Sequence, residues 1–142
     1  MGKITVVGLG PGSMEDMTPR ALKAIGKAQV VVGYNTYIEL IHGLLKNKEV
    51  IGTAMMQEID RCRMAVEAAA AGKETVVVSS GDAGVYGMAG LVLELAQQQD
   101  GADRPEVEIV AGISAVNASA AILGAPLMHD FAVISLSDLM TP

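Results

Sequence analysis

Two hydrophobic periodicities trade places along this sequence, and that exchange limits its fold more than any other feature. Five short runs, residues 4–9, 29–32, 49–52, 75–79 and 107–110, are rich in Val and Ile and do not alternate apolar with polar positions. A strand with one wet face alternates, whereas an unbroken apolar run fits a strand covered on both faces. Between these runs, apolar residues recur at three- and four-residue spacing, as one face of a helix requires. Thr18 before Pro19 offers an N-cap and a first-turn proline, with Ala21, Leu22 and Ile25 on one face and an end near Gly26. Asn35 is placed to cap a second helix through Ile38, Ile41 and Leu45. A third spans 57–71, with Ile59, Cys62, Val66 and Ala70 on one stripe and Gly72 as its stop. The fourth covers 86–99, and the fifth covers 114–123 and ends at Gly124. The alternation predicts an α/β fold: an open, mostly parallel five-stranded sheet with helices on both faces and right-handed crossovers.

One run is left over. Residues 132–136, Ala-Val-Ile-Ser-Leu, read as a sixth buried strand, yet only six residues follow them and no helix to cover them. The expected organisation is an amino-terminal α/β domain over 1–130 and the opening of a second α/β domain over 131–142. The chain would then be a fragment, unless the strand is exchanged with another copy. The remaining arrangement is a sixth strand at the edge of the first sheet.

Length sets the scale, because 142 residues hold one core and little more. With 51% hydrophobic residues and a mean hydropathy of +0.40, a membrane span has to be considered. The most apolar stretch, 107–128, is Ala-rich and contains Glu108, Ser114, Asn117, Ser119 and Pro126, which does not fit a helix crossing lipid. No basic amino terminus leads into an apolar signal segment. Cys62 is the only cysteine, which excludes a disulfide framework and a Cys-based zinc site and suits a reducing cytoplasm. A soluble cytoplasmic protein is expected. The net charge of −6 is uneven: residues 1–73 hold nine Lys/Arg against seven acids, and residues 74–142 hold Arg104 against nine acids. Nothing there builds the clustered basic face that nucleic acid needs.

In an open parallel sheet, ligands bind beyond the carboxyl ends of the strands, so the loops that follow strands carry the functional information. The first is Gly8-Leu9-Gly10-Pro11-Gly12. It departs from the dinucleotide fingerprint, because Ser13 stands where the third Gly belongs and the second strand ends Val32-Gly33-Tyr34 without a ribose-binding acid. A Walker loop is excluded as well, since no Gly-Lys-Ser/Thr follows. The second loop, 79–87, places Gly81, Gly84 and Gly87 around Asp82, an acid that fits either a ligand contact or an Asx turn. The third is Ala111-Gly112-Ile113-Ser114-Ala115, where Ser114 also suits a helix cap.

Together, G-x-G-P-G, S-G-D-x-G-x-x-G and G-I-S-A, the last leading into an Ala-rich helix that ends Leu123-Gly124-Ala125-Pro126-Leu127, resemble the tetrapyrrole (corrin/porphyrin) methylase family over essentially the whole chain. The stretches 32–37, 56–62, 84–90 and 126–138 are similar to the branch that methylates precorrin-3B at C(17) in cobalamin biosynthesis. Ala111 departs from the family's usual Pro. The resemblance implies two α/β domains with S-adenosyl-L-methionine in the cleft between them, a homodimer, and methyl transfer accompanied by ring contraction. It places the cofactor on Gly10, Pro11 and Gly12, on Ser80, Gly81, Asp82 and Val85, and on Ser114 and Ala115; no metal site is implied. The proton transfers of contraction have Asp82, His129, Asp130, Tyr34 and Tyr37 as candidates, with none singled out, while for His129 and His42 a satisfied structural position is the favoured reading. A substrate with many carboxylates calls for cations, so Arg61 or Arg63 is expected to face the cleft. The chain alone is expected to be inactive. The alternative is a non-catalytic module for a nucleotide-like ligand or for assembly.

Overall fold

The Val-rich runs pair side by side, all in the same direction. The computed structural model describes residues 2–101 and 104–135. Its strands are β1 (Lys3–Gly8), β2 (Val30–Tyr34), β3 (Glu49–Thr53), β4 (Thr75–Ser79) and β5 (Glu106–Val110), in the spatial order β3-β2-β4-β1-β5. Every pairing is parallel; Ile4 of β1 lies opposite Thr75 of β4 and Val107 of β5. The helices are α1 (Pro19–Lys27), α2 (Asn35–Leu40), α3 (Glu58–Ala70), α4 (Ala89–Gln97) and α5 (Ala115–Ile122).

Successive strand residues face opposite ways, so the sheet feeds two cores. Ile4, Val6, Val30, Val32 and Val77 pack against Cys62, Ala65, Val66 and Ala69 of α3 and Val92 and Ala96 of α4. Val7, Leu9, Val31, Val76 and Val78 pack against Ala21 and Ile25 of α1 and against Ile41. Burial on both faces holds for β1, β2 and β4 only. The edge strands β3 and β5 expose residues such as Val50 and Ile109, because each has a neighbour on one side alone.

The helix signals act locally where a side chain meets a backbone donor. Thr18 Oγ1 accepts from Ala21 N at 3.1 Å, and Pro19 opens α1. Ser114 Oγ accepts from Asn117 N at 3.3 Å, and Gly124, at φ +63°, lies just past the end of α5. Two expectations shift. Asn35 does not cap α2 but begins it, its Oδ1 lying over Gly52, and α2 gives way after Leu40 to a 3-10 turn over His42–Leu44. Helix α4 begins at Ala89 rather than at Tyr86, since Tyr86 takes a left-handed φ of +52° that no helix continues.

The sixth strand does not form within the described residues. Residues 131–135 join no ladder, and Phe131, Val133 and Ile134 are exposed. β propensity alone supplies no partner for the backbone N–H and C=O groups, and neither sheet edge receives this segment. Residues 136–142, which include Leu136 of that run, lie outside the described residues.

The uneven charge is resolved across strands. Glu108 and Glu106 of β5 lie beside Lys3 of β1 at 2.6 and 3.7 Å, and Arg20 reaches Glu108 at 2.8 Å. These hydrogen-bonded cations hold the Glu108 carboxyl below its usual range. Among the described residues no helix is long and apolar enough to cross a membrane.

Candidate functional site

The order of the sheet creates a crevice between β1 and β4. The loop after β1 leads to α1 on one face of the sheet, while the loop after the neighbouring β4 leads to α4 on the other. Backbone holds the loops together. Leu9 N donates to Ser79 O at 2.8 Å, and Gly10 and Gly81 exchange N–H···O bonds of 3.0 and 2.8 Å. Both glycines have left-handed φ, +73° and +60°, which costs an L side chain far more than it costs glycine. The third loop enters through Gly112: a Cβ there would collide with the Gly81 carbonyl oxygen and stand 2.6 Å from that of Gly8. Asp82 ties the loops together, its Oδ1 accepting from Gly112 N at 2.9 Å and its Oδ2 from Gly84 N at 3.0 Å.

Over these loops lies a cavity of about 580 Å³. Gly10 and Pro11 line it from the first loop, Ser80, Gly81, Asp82 and Val85 from the second, and Ser114 and Ala115 from the third. Gly12 does not line it. Sequence reasoning missed the far wall, where Tyr86, Ser119 and Ile122 stand with residues 133–135. Tyr86 OH donates to Val133 O at 3.0 Å, so the segment expected to be a strand is held across the opening instead. The small-residue pattern of α5, which buries none of its side chains, was the available sign of a ligand-facing helix.

Among the described residues that line the cavity, Asp82 is the only charged one, and both its oxygens receive backbone N–H groups. A carboxylate so placed fastens the second loop to the third, and each of its oxygens has a second lone pair. His129 and Asp130 are exposed and do not line the cavity, and exposed His42 is in the 3-10 turn after α2. Neither histidine makes a side-chain hydrogen bond within the described residues, so a satisfied structural role does not describe them. Among the described residues no three His, Cys, Asp or Glu gather as metal ligands.

Side chains build the adjoining rim at the ends of β2 and β3. Ser80 Oγ donates to Tyr37 OH at 3.0 Å, and the Tyr37 ring meets that of Tyr34 edge-on, 5.2 Å between centroids. The Arg61 guanidinium lies 5.8 Å from the Tyr34 ring centre. Its Nε donates to Thr53 Oγ1 at 2.7 Å and its Nη2 to Ala54 O at 3.1 Å. Of the two expected cations, Arg61 is thus at the loop-bearing end of the sheet, while Arg63 is exposed and paired with Asp60 at 3.4 Å. Burial pushes the neighbouring Cys62 thiol up to about 11, which leaves it an inert part of the core. A second cavity, of about 570 Å³, opens between α1 and the β1–β5 face, but its Lys3 and Arg20 are spent on Glu108.

Comparison with known proteins bears on the family and the fold. The family model for Tetrapyrrole (Corrin/Porphyrin) Methylases matches residues 3–142. The chain is 52% identical to the cobalt-factor III methyltransferase of Priestia megaterium, over 99% of this chain and 26% of that protein. It is also 52% identical to the probable cobalt-factor III C(17)-methyltransferase of Salmonella typhimurium, over 98% of this chain and 57% of that one. The crystal structure of the methyltransferase CobJ superposes with a TM-score of 0.91 at 41% identity, covering 100% of this chain and 59% of that one. The chain therefore spans 26% and 57% of the lengths of these two curated relatives.

Proposed function

The chain belongs to the tetrapyrrole (corrin/porphyrin) methylase family, and on that premise we propose that it supplies the cofactor face of an S-adenosyl-L-methionine-dependent methyltransferase. Its substrate on this reading is precorrin-3B or the cobalt-containing counterpart, methylated at C(17) with contraction of the ring. One observation carries the proposal: three loops from β1, β4 and β5 converge on a cavity of about 580 Å³, within the size range of small-molecule sites.

The residues present fit such a cofactor. The floor is backbone from Gly10 and Gly81, so a ligand approaches main chain directly, and Pro11, Val85 and Ala115 add apolar wall. The hydroxyls of Ser80 and Ser114 donate to Tyr37 OH and Asn117 Oδ1, so what they present to a ligand is acceptor lone pairs. When bound, the cofactor brings both the methyl group and its own leaving group, so positioning is what the protein has to contribute. Gly10 and Gly81, locked by their paired hydrogen bonds, hold the floor rigid. Asp82 fixes the second loop against the third through Gly112. Gly12 stands beside this floor rather than in it, and acts through the turn it shares with Gly10 and Pro11. Asp82 is engaged and His129 and Asp130 stand outside the cavity, so this face binds and orients, and any part of His129 or Asp130 in the contraction requires the 125–135 segment to reposition.

The reading includes a second domain that opens in 131–142 and closes the cleft above residues 133–135. It also includes a homodimer in the cytoplasm, for which the exposed Leu123, Met128 and Phe131 offer apolar surface, and no nucleic-acid or membrane partner. Isothermal calorimetry with S-adenosylhomocysteine tests it. The longer protein that carries this chain should bind, and the 142-residue chain should bind about tenfold or more weakly, because a cleft with one wall buries less of its ligand. Equal tight affinity for both, or binding by neither, contradicts the reading. Binding without methyl transfer to the tetrapyrrole marks a non-catalytic module.

A further inference from the structure

Arg61, 4% exposed, is the only charged side chain among the buried described residues. No carboxylate of the described residues lies within 4.0 Å of it. A buried charge is costly unless it is paired. The oxygens that meet it, Thr53 Oγ1 and Ala54 O, are neutral, and the Tyr34 face only partly offsets a cation.

The guanidinium carries five N–H donors, and oxygens take one on Nε and one on Nη2. At Nη1 the contact is Met88 Sδ, 3.8 Å away, a weak acceptor on a flexible side chain. Met88 immediately precedes α4 and follows the second glycine loop, whose Val85 and Tyr86 line the cavity. On the other side, Tyr34 and Tyr37 connect the guanidinium to Ser80 in that cavity. The weakest of the polar contacts to Arg61 is therefore at the loop that borders the cofactor cavity.

We propose that Arg61 anchors a carboxylate of the tetrapyrrole substrate, which enters at the guanidinium corner covered by Met88 and pairs with the donors on Nη1 and Nη2. The proposal rests on the methyltransferase reading above and adds a subsite to it. The cofactor also carries a carboxylate, so the test separates the two sources.

The longer protein carrying this chain is assayed for methyl transfer to cobalt-factor III, alongside calorimetry with S-adenosylhomocysteine. Arg61→Met should raise KM for cobalt-factor III about tenfold or more, as loss of a charge-assisted bidentate contact does. Arg61→Lys should raise it less, and the affinity for S-adenosylhomocysteine should stay within about twofold in both. An unchanged KM in folded Arg61→Met overturns the proposal, as does a loss of S-adenosylhomocysteine affinity equal to the loss for cobalt-factor III. Should Arg61→Met not fold, the Nε–H resonance of Arg61 in the unaltered protein decides: a shift on addition of cobalt-factor III but not of S-adenosylhomocysteine supports the subsite, and no shift with cobalt-factor III overturns it. Absence of methyl transfer by the unaltered protein to both cobalt-factor III and precorrin-3B removes the parent reading and this subsite with it, a result distinct from normal transfer with an indifferent Arg61.

Discussion

The two halves of the loop-bearing rim are built from different material. At β1, β4 and β5 the contacts are backbone on backbone: Gly10 with Gly81, Leu9 with Ser79, and Gly112 with the carbonyls of Gly8 and Gly81. At β2 and β3 they are side chain on side chain, running from Ser80 through Tyr37 and Tyr34 to Arg61. A backbone-built region is sensitive to added volume, and a side-chain-built region to altered chemistry. The first suits a cofactor approached at close range, and the second a ligand recognised by its charge. Asp82 links backbone across the first region, and the Tyr37 hydroxyl joins the second region to it at Ser80.

Three substitutions probe that contrast. The largest effect is expected from Gly112→Ala, whose new methyl group meets two carbonyl oxygens that belong to other loops. Overpacking of this kind costs about 3 kcal/mol, to be read as a lower midpoint in urea unfolding together with loss of S-adenosylhomocysteine binding. An alanine variant with unchanged midpoint would show that the loops are not packed backbone to backbone. Next comes Asp82→Ala, which strands the N–H groups of Gly112 and Gly84. Its expected cost is about 2 kcal/mol, and Asp82→Asn should recover part of it by keeping an acceptor. If Asp82→Asn instead binds cofactor normally while methyl transfer collapses, Asp82 is a catalytic group and not a fastener. The smallest effect should follow Tyr37→Phe, which removes one half-exposed hydroxyl contact with Ser80 and keeps the ring against Tyr34. About 1 kcal/mol or less is expected in stability, with a modest rise in the dissociation constant for S-adenosylhomocysteine. A loss as large as that of Gly112→Ala would erase the distinction between the two halves.

Much of the site was legible because its parts are local. Glycine spacing after a Val-rich run marks a loop that needs unusual φ or close approach, and the loops at 8–12, 79–87 and 111–115 do meet at one end of the sheet. What was not legible depends on residues distant in sequence. Asp82 reads equally as a ligand contact or a turn residue until Gly112 is seen beside it, 30 positions along the chain. The start of α4 was misplaced because Tyr86 takes a left-handed φ, a backbone turn that side-chain periodicity does not report. The run at 132–136 has strand composition, but composition does not supply a neighbouring edge.

Hydrophobic period, capping residues and glycine placement are properties of short segments, and they sufficed for the α/β class, the parallel sheet, the caps at Thr18 and Ser114 and the family resemblance. Strand order, the pairing of Glu108 with Lys3, and the burial of Arg61 without a counter-charge come from the assembled sheet alone. The physical reason is range: periodicity and capping act within a few residues of chain, whereas burial and electrostatic pairing are decided by which distant segments the sheet brings within a few ångströms.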